Sequence, residues 1–325
     1  MSARDQPPLG GWDVDFVARN ARDAPTRPAV CEVGVDDAVG TRTLSWLELD
    51  AAVEACARAI RARTPPGTRV ACVARDGVAP LVALYACYRA RRAFVAMDHA
   101  SWPEGRLRSI AVDARCASVV CADDDEARRA RGWFGDAIDA YVSLESLDAR
   151  RGGDDGDDDD ERRSPDEPLA TYDRNPVSSS SSSSRELYVA YTSGSSGFGA
   201  KGTVARADAV MSYCAAKIAV ERVRRTSRVC LASNTTFDIY PSDAYVAAVR
   251  GACAVVASRA LFQADFAAVL RRGAATHVCC TPTLFALARL PRGWEDAPSL
   301  QRVSLAGERM SAETLERWGG DPLGD

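Results

Sequence analysis

Short apolar runs that alternate with helical patterns are the feature that most constrains the fold of this chain. The runs 69–74 and 93–97 are almost wholly apolar, and the segment before the first of them has apolar residues at helical spacing, at Trp46, Leu49 and Val53. Short, uniformly apolar runs are typical of parallel strands that are covered on both faces. The alternation therefore predicts an α/β fold of βαβ units, with mainly parallel sheets flanked by helices.

The same patterns assign elements along most of the chain. Ser45 and Glu48 have the spacing of a capping box and predict that the first helix begins at Trp46. We predict strands over 69–74, 93–97, 117–121, 187–191, 228–232, 252–257, 277–280 and 302–305. We predict helices over 46–60, 78–90, 103–114, 207–222, 243–250, 264–271, 282–290 and 312–318.

One polar segment interrupts the alternation. It contains seven acidic residues between Asp154 and Glu161 and an unbroken serine tract from Ser178 to Ser184. Such a composition buries too little apolar surface to fold. We therefore predict a first folded part over 1–147, a disordered acidic and serine-rich linker or insertion over 148–186, and a second folded part over 187–325. Without the acidic run the chain is close to neutral, so its net charge does not indicate a nucleic-acid-binding surface.

Cysteine and histidine usage limits the chemistry. The eleven cysteines are scattered through apolar stretches without metal-ligand spacing, and there are only two histidines. We expect reduced, buried thiols, no metal site, and a packed core role for His277 rather than that of a catalytic base. The N-terminus lacks the apolar region of a secretory signal, and no apolar run approaches the roughly 18 residues of a membrane span. A cytoplasmic location without a membrane partner is the expectation.

The most informative segment follows the strand predicted at 187–191. It is rich in glycines and hydroxyls and ends in Lys201, so it suits a phosphate: backbone N–H groups and hydroxyls donate, and the lysine neutralises charge. The Walker pattern fails because Gly202 follows Lys201. The dinucleotide pattern is matched by Gly197, Gly199 and Gly202, with Glu221 nineteen residues further on, but five residues separate it from the strand.

The run from Tyr191 to Gly197, followed by Lys201 and Gly202, resembles the signature loop of the adenylate-forming (AMP-binding) superfamily, Tyr-Thr-Ser-Gly-Ser/Thr-Thr-Gly-x-Pro-Lys-Gly. This superfamily includes acyl-CoA synthetases and the adenylation domains of non-ribosomal peptide synthetases. Four other segments resemble the family in its order: 43–49, 90–107, 276–284 and 300–308. The resemblance implies the N-terminal portion of the large adenylation domain.

The resemblance also implies how ATP is held. The loop would bind the β- and γ-phosphates through hydroxyls, backbone and one charge, supplied by Thr192, Ser193, Gly194, Ser195, Ser196, Gly197, Lys201 and Gly202. This loop departs from the family pattern at two points. Three residues separate Gly197 from Lys201 where the family has two, and Ala200 replaces a proline.

A second segment concerns the acid substrate. Residues 237–243 resemble the Phe-Asp-x-Ser-x-x-Asp segment of amino-acid-activating domains, in which the first aspartate, here Asp238, pairs with the α-ammonium group. Ser242 and the strand end at Ala306 and Gly307 would line the same pocket. The structural alternative is that Asp238 caps a helix that begins near Pro241.

The implied reaction joins a carboxylic acid, especially an amino acid, to AMP with Mg-ATP as the donor. The acyl group would then pass to a phosphopantetheine carrier or to coenzyme A. The family's Tyr-Gly-Pro-Thr-Glu segment, which contacts magnesium, and its C-terminal catalytic lysine are not among these 325 residues. We therefore assign no catalytic residue and expect this chain alone to be a poor or inactive catalyst. The alternatives are a non-catalytic nucleotide-binding remnant and a dinucleotide-dependent oxidoreductase.

Overall fold

The computed structural model describes residues 14–34, 40–152, 185–192 and 201–319. The helices are α1 (Phe16–Asp23), α2 (Trp46–Arg63), α3 (Ala79–Ala90), α4 (Glu104–Asp113), α5 (Asp124–Phe134), α6 (Leu144–Gly152), α7 (Ala207–Val220), α8 (Ile239–Arg250), α9 (Arg259–Ala264), α10 (Phe266–Arg272), α11 (Pro282–Ala286) and α12 (Ala312–Trp318). The strands are β1 (Pro28–Val33), β2 (Thr41–Ser45), β3 (Arg69–Cys72), β4 (Ala93–Ala96), β5 (Cys116–Cys121), β6 (Ala140–Ser143), β7 (Glu186–Thr192), β8 (Lys201–Arg206), β9 (Arg228–Cys230), β10 (Cys253–Ala257), β11 (His277–Cys280) and β12 (Arg302–Leu305).

The strands form two six-stranded sheets of similar design. Sheet A has the order β12-β11-β9-β10-β1-β2, and sheet B has the order β6-β5-β3-β4-β7-β8. In each sheet five strands are parallel, and the last strand pairs antiparallel with its neighbour, β2 with β1 and β8 with β7. The predicted α/β class with mainly parallel sheets is confirmed.

The buried side chains divide the structure into five layers. One core cluster joins α2, α3, α7 and α8 to one face of each sheet, so these four helices lie between the sheets. A second cluster packs α9, α10 and α11 on the other face of sheet A, and a third packs α4 and α5 on the other face of sheet B. Successive strand residues alternate between clusters, as Val70 and Ala71 do in β3. Burial on both faces explains why these strands read as continuous apolar runs.

Each predicted strand is present, and the predicted capping box at α2 is confirmed. Glu48 N–H donates to Ser45 Oγ at 3.2 Å, and Ser45 N–H donates to Glu48 Oε2 at 2.7 Å. The patterns missed β1, β2, β6, β8, α1, α5, α6 and α9. Two of these, β2 and β8, are largely exposed edge strands, whose polar side chains give no apolar run.

Several helix bounds differ from prediction. Helix α8 begins at Ile239, four residues before the predicted start, because Pro241 fits the first turn, where its missing N–H costs nothing. The helix predicted over 264–271 is α10, which begins at Phe266 because the carboxylate of Asp265 accepts from Ala268 N–H and caps it. Helix α11 ends at Ala286 rather than at 290.

Both sheets combine strands from before and after the predicted linker. Sheet A joins β1 and β2 to β9–β12, and sheet B joins β3–β6 to β7 and β8. Helix α6 continues to Gly152, so the predicted linker start at 148 falls inside a helix. The acidic run and the serine tract lie outside the described residues. Within the described residues, no helix is both long and apolar enough to cross a membrane.

The β7–β8 hairpin contains a close approach that only glycine allows. Tyr191 is the register partner of Gly202, and a Cβ at Gly202 would lie 2.8 Å from Tyr191 Cζ and 3.0 Å from Val189 Cγ1. The tyrosine ring has little freedom to move, because its hydroxyl donates to Asp113 Oδ2 at 2.6 Å. Gly202 is therefore needed for the packing of the hairpin.

Gly202→Ala should lower the free energy of unfolding by about 1–3 kcal/mol, because the added methyl group overpacks this contact. Urea denaturation followed by circular dichroism measures the change. Gly105→Ala in α4 is the matched control, since its Cβ would meet no atom within 4 Å, and alanine favours helix. Equal stability of the two variants would contradict the packing role of Gly202.

Candidate active site

Polar segments at the carboxyl ends of the parallel strands form the candidate site. The segment after β9 runs from Leu231 to Asp238 and leads into α8. In one pocket it meets β4 and β7 of sheet B, and in a second it meets the segment after β3. Ligands of open α/β sheets bind at this edge, where loops after neighbouring strands come together.

Asp238 lies in the first of these pockets. The pocket has a mostly apolar and aromatic lining. Its walls are formed by Phe94, Ala96, Tyr188, Val189, Ala190, Thr235, Thr236, Phe237, Asp238 and Pro241. Phe237 and Asp238 are exposed at this position. One exposed carboxylate thus lies beside apolar walls, next to the strand that leads to the predicted phosphate loop.

The structural alternative for Asp238 is wrong. Asp238 occupies the N-cap position of α8, but its side chain makes no capping hydrogen bond, and its backbone is already helical, with φ −61° and ψ −22°. Within the described part of the chain, its carboxylate has no hydrogen bond or ion pair. The carboxylate is therefore free to bind a ligand cation.

The predicted phosphate loop connects β7 to β8. Residues Ser193 to Ala200, which include the predicted Ser193, Gly194, Ser195, Ser196 and Gly197, lie outside the described residues. Thr192 ends β7 and Lys201 begins β8, and the two are register partners. Lys201 is exposed and makes no ion pair within the described residues. The structure therefore places a positive charge at the loop end of the β7–β8 hairpin.

The other predicted substrate residues lie at the same sheet edge but outside the pocket of Asp238. Ser242 is one helical turn further along α8 and is buried. Ala306 and Gly307 follow β12 and are exposed, and Ala306 N–H donates to Cys280 O at 3.1 Å. Gly307 has φ 87°, a conformation that favours glycine. These positions follow strands β9 and β12, which are separated by β11 in sheet A.

The dinucleotide hypothesis is not supported by the local fold. Its pattern needs a helix that begins at the glycines, but Gly202 lies in strand β8. Glu221, the proposed ribose ligand, instead accepts a hydrogen bond from Ser304 Oγ at 2.7 Å. The packed role predicted for His277 is confirmed: the residue is 2% exposed, and its Nε2 lies 3.0 Å from the carbonyl oxygen of Glu221. Burial also lowers the pKa of His277.

The predicted burial of the thiols is confirmed: all eleven cysteines are buried and free. Burial raises the pKa of several of them, for example that of Cys56 to about 12, so these thiols resist ionisation. Among the described residues, no group of three or more His, Cys, Asp or Glu side chains is placed to hold a metal ion.

The sequence patterns missed a buried charge network beside α8. Lys217 Nζ of α7 lies 2.6 Å from Asp243 Oδ1 of α8 and 3.6 Å from Glu221 Oε1. Ser304 of β12 donates to the same Glu221 carboxylate. Asp243 is 1% exposed. The only sequence signal was the second Asp of the 237–243 segment, and nothing in the spacing paired it with a lysine 26 residues earlier.

Burial and charge oppose each other in this network. Burial raises the pKa of Asp243 to about 6, against the opposing attraction of Lys217. Burial alone would lower the pKa of Lys217, but the attraction of Asp243 and Glu221 outweighs it and raises that pKa. The lysine therefore stays charged at neutral pH and compensates two carboxylates.

Comparison with known proteins relates the chain to one enzyme family. The model of the family described as "AMP-binding enzyme" matches residues 17–321. The N-benzoylphenylalaninol synthetase apmA of Penicillium brevicompactum is 27% identical over 331 residues, which cover 98% of this chain. They cover 12% of the synthetase, so this chain spans a small part of that relative's length.

Solved structures share the fold at low sequence identity. VinN in complex with L-aspartate superposes with a TM-score of 0.70 at 20% identity, covering 94% of this chain and 73% of VinN. ATP-bound MatB from Rhodopseudomonas palustris superposes with a TM-score of 0.70 at 18% identity, covering 94% of this chain and 58% of MatB. This likeness shows that the fold of two helix-covered sheets is shared with these proteins.

Lys217→Met should lower the free energy of unfolding by about 3–5 kcal/mol at pH 7, because it leaves two carboxylates buried without a cation. The loss should be smaller at pH 5. Burial holds the pKa of Asp243 at about 6 even with Lys217 present, above its ordinary value of 3.8, and loss of the lysine removes an attraction that lowers it. Acid therefore protonates this carboxylate in the folded variant and relieves the penalty. Urea denaturation at the two pH values measures both effects.

Arg128→Met is the control for this prediction. Arg128 pairs with Asp125 on the surface of α5, and both side chains are at least 70% exposed. An exposed pair contributes about 1 kcal/mol or less. A Lys217→Met loss no larger than the Arg128→Met loss, or independent of pH, would contradict the compensating role of Lys217.

Proposed function

Because this chain belongs to the AMP-binding enzyme family, we propose that it supplies the ATP- and acid-binding part of an enzyme that converts a carboxylic acid to an acyl-adenylate. A carboxylate oxygen of the acid attacks the α-phosphorus of ATP. The bond from that phosphorus to the pyrophosphate oxygen breaks, and pyrophosphate leaves. A thiol, on a phosphopantetheine carrier or on coenzyme A, is the proposed acceptor of the acyl group.

The β7–β8 hairpin supports a role in holding the pyrophosphate portion of ATP. Lys201 is exposed at the loop end of the hairpin and has no ion pair in the described residues. The intervening residues 193–200 are rich in glycine and serine, so they offer N–H and hydroxyl donors for phosphate oxygens. The solved relative MatB is bound to ATP. We assign no magnesium ligand among the described residues and derive no step through the ion.

An amino acid is the proposed class of acid, and Asp238 is the observation that carries it. The carboxylate lines a largely apolar pocket and has no partner in the described part of the chain. An ammonium group in such surroundings needs a paired carboxylate, because the apolar walls offer it no hydrogen bonds. The relative VinN was solved with L-aspartate, which has an α-ammonium group.

Asp238→Asn should weaken the binding of the preferred amino acid by about tenfold or more, since it removes a charge-assisted contact worth over 1.4 kcal/mol. The same variant should bind the matching acid without the amino group as well as the wild type does. Calorimetric titration of both ligands, after a screen of amino acids, gives the two affinities. Asp125→Asn, an exposed aspartate in the first turn of α5, is the matched control. Equal losses for both ligands would contradict an ammonium contact.

Lys201→Ala should weaken ATP binding by about tenfold, because it removes one charge-assisted contact to phosphate. Arg206→Ala is the matched control, since Arg206 is an exposed cation at the other end of β8 and pairs with Asp208. Calorimetric titration with ATP measures the affinities. An unchanged affinity in Lys201→Ala would remove the hairpin from the proposed ATP site.

An exchange assay on the wild-type chain distinguishes catalytic turnover from nucleotide binding alone. Amino-acid-dependent exchange between ATP and pyrophosphate would exclude the non-catalytic hypothesis. ATP binding that depends on Lys201 but yields no exchange, with any amino acid and with magnesium present, would favour that hypothesis for the isolated chain.

A further inference from the structure

A second pocket borders the same 231–238 segment and is not used by the proposed reaction. It is lined mainly by residues that follow β3, β9 and β10. Two arginines line it from different sheets, Arg75 after β3 of sheet B and Arg259 after β10 of sheet A.

The two guanidinium groups have few partners in the protein. Arg259 Nη1 donates to the carbonyl oxygen of Ala232 at a long 3.4 Å, and Arg259 has no carboxylate partner within the described ranges. Arg75 Nε forms an ion pair with Asp98 Oδ1 at 3.7 Å, a separation beyond hydrogen-bond distance. Each guanidinium can donate five hydrogen bonds. Most of these donors are therefore available to a ligand.

The nearby carboxylates are engaged elsewhere. Asp98 accepts hydrogen bonds from Ala100 N–H, at 3.1 Å, and from Asn234 Nδ2, at 3.0 Å. Asp76, which also lines the pocket, accepts from the backbone N–H of Arg259 at 2.6 Å. These bonds orient the carboxylates toward backbone and amide groups. The guanidinium forks are thus the under-bonded polar groups of this pocket.

The position of the pocket separates it from the proposed ATP hairpin. In sheet B, β3 and β7 are both neighbours of β4, so their carboxyl ends are roughly 10 Å apart at the usual strand spacing. The pocket adjoins the pocket of Asp238, because Thr235 lines both. A ligand here would approach the acid site from the side of β3 and β10.

The geometry points to a binding site for a small phosphate-bearing molecule, held by Arg75 and Arg259. A phosphate monoester has three free oxygens and about two negative charges at neutral pH, so it matches two guanidinium groups in charge better than a singly charged carboxylate does. Ser233 and Thr235 line the same walls.

The test uses inorganic phosphate as the probe, in the Lys201→Ala background so that the hairpin does not contribute. The melting temperature is measured against phosphate concentration at constant ionic strength, with chloride as the compensating anion. A site in the folded chain raises the melting temperature by mass action. Adding Arg75→Gln and Arg259→Gln should weaken the apparent phosphate affinity by about tenfold or more, since charge-assisted contacts are lost.

The control adds Arg61→Gln and Arg128→Gln, which remove two exposed arginines that lie outside the pocket. Melting in chloride alone shows whether each variant folds. A saturable phosphate response that only the Arg75/Arg259 variant loses supports the site. An equal response in both variants, or no saturable response before the substitutions, overturns it. ATP affinity is measured separately in variants that keep Lys201, where it tests the proposed ATP site at the hairpin. Failure of the phosphate pocket can therefore be told from failure of the proposed ATP site.

Discussion

Burial of both sheets on both faces is the constraint on which the rest of this structure depends. Helices α2, α3, α7 and α8 fill the space between the sheets, and other helices cover the outer faces. Strands in this position must be apolar throughout, so they cannot carry polar chemistry along their length. Polar groups are confined to strand ends and loops. Because the central strands are parallel, the loops that follow them meet at one edge of each sheet, and the candidate site is built there.

Two buried ion-pair networks connect the helices between the sheets, whereas two charged side chains at the candidate site have no ion partner within the described residues. Arg89 of α3 pairs with Asp15 at 2.6 Å and with Asp50, which ties α3 to the start of α1 and to α2. Lys217 pairs with Asp243 and ties α7 to α8. A buried charge without a partner would cost several kcal/mol, so such groups are fixed by the fold. Asp238 and Lys201 have no ion partner within the described residues, which leaves their charges for a ligand.

The sequence predicted what depends on local pattern and missed what depends on contacts between distant segments. Apolar runs identified the buried strands, and the spacing of Ser45 and Glu48 identified the start of α2. Exposed strands such as β8 have no apolar period, because most of their side chains meet solvent. The pairing of Lys217 with Asp243 joins two helices, and no spacing in the sequence indicates it. The proposed role of Asp238 came from resemblance, and only the structure could show that its carboxylate caps nothing in α8.

The 231–238 segment connects the two pockets through side-chain hydrogen bonds as well as by position. Asn234 Nδ2 donates to Asp98, the carboxylate nearest Arg75, and Asn234 Oδ1 accepts from Thr236 N–H at 3.0 Å. Thr236 lines the pocket of Asp238, so one amide side chain joins the walls of both pockets. The two pockets therefore share a wall that is held by the side-chain hydrogen bonds of Asn234.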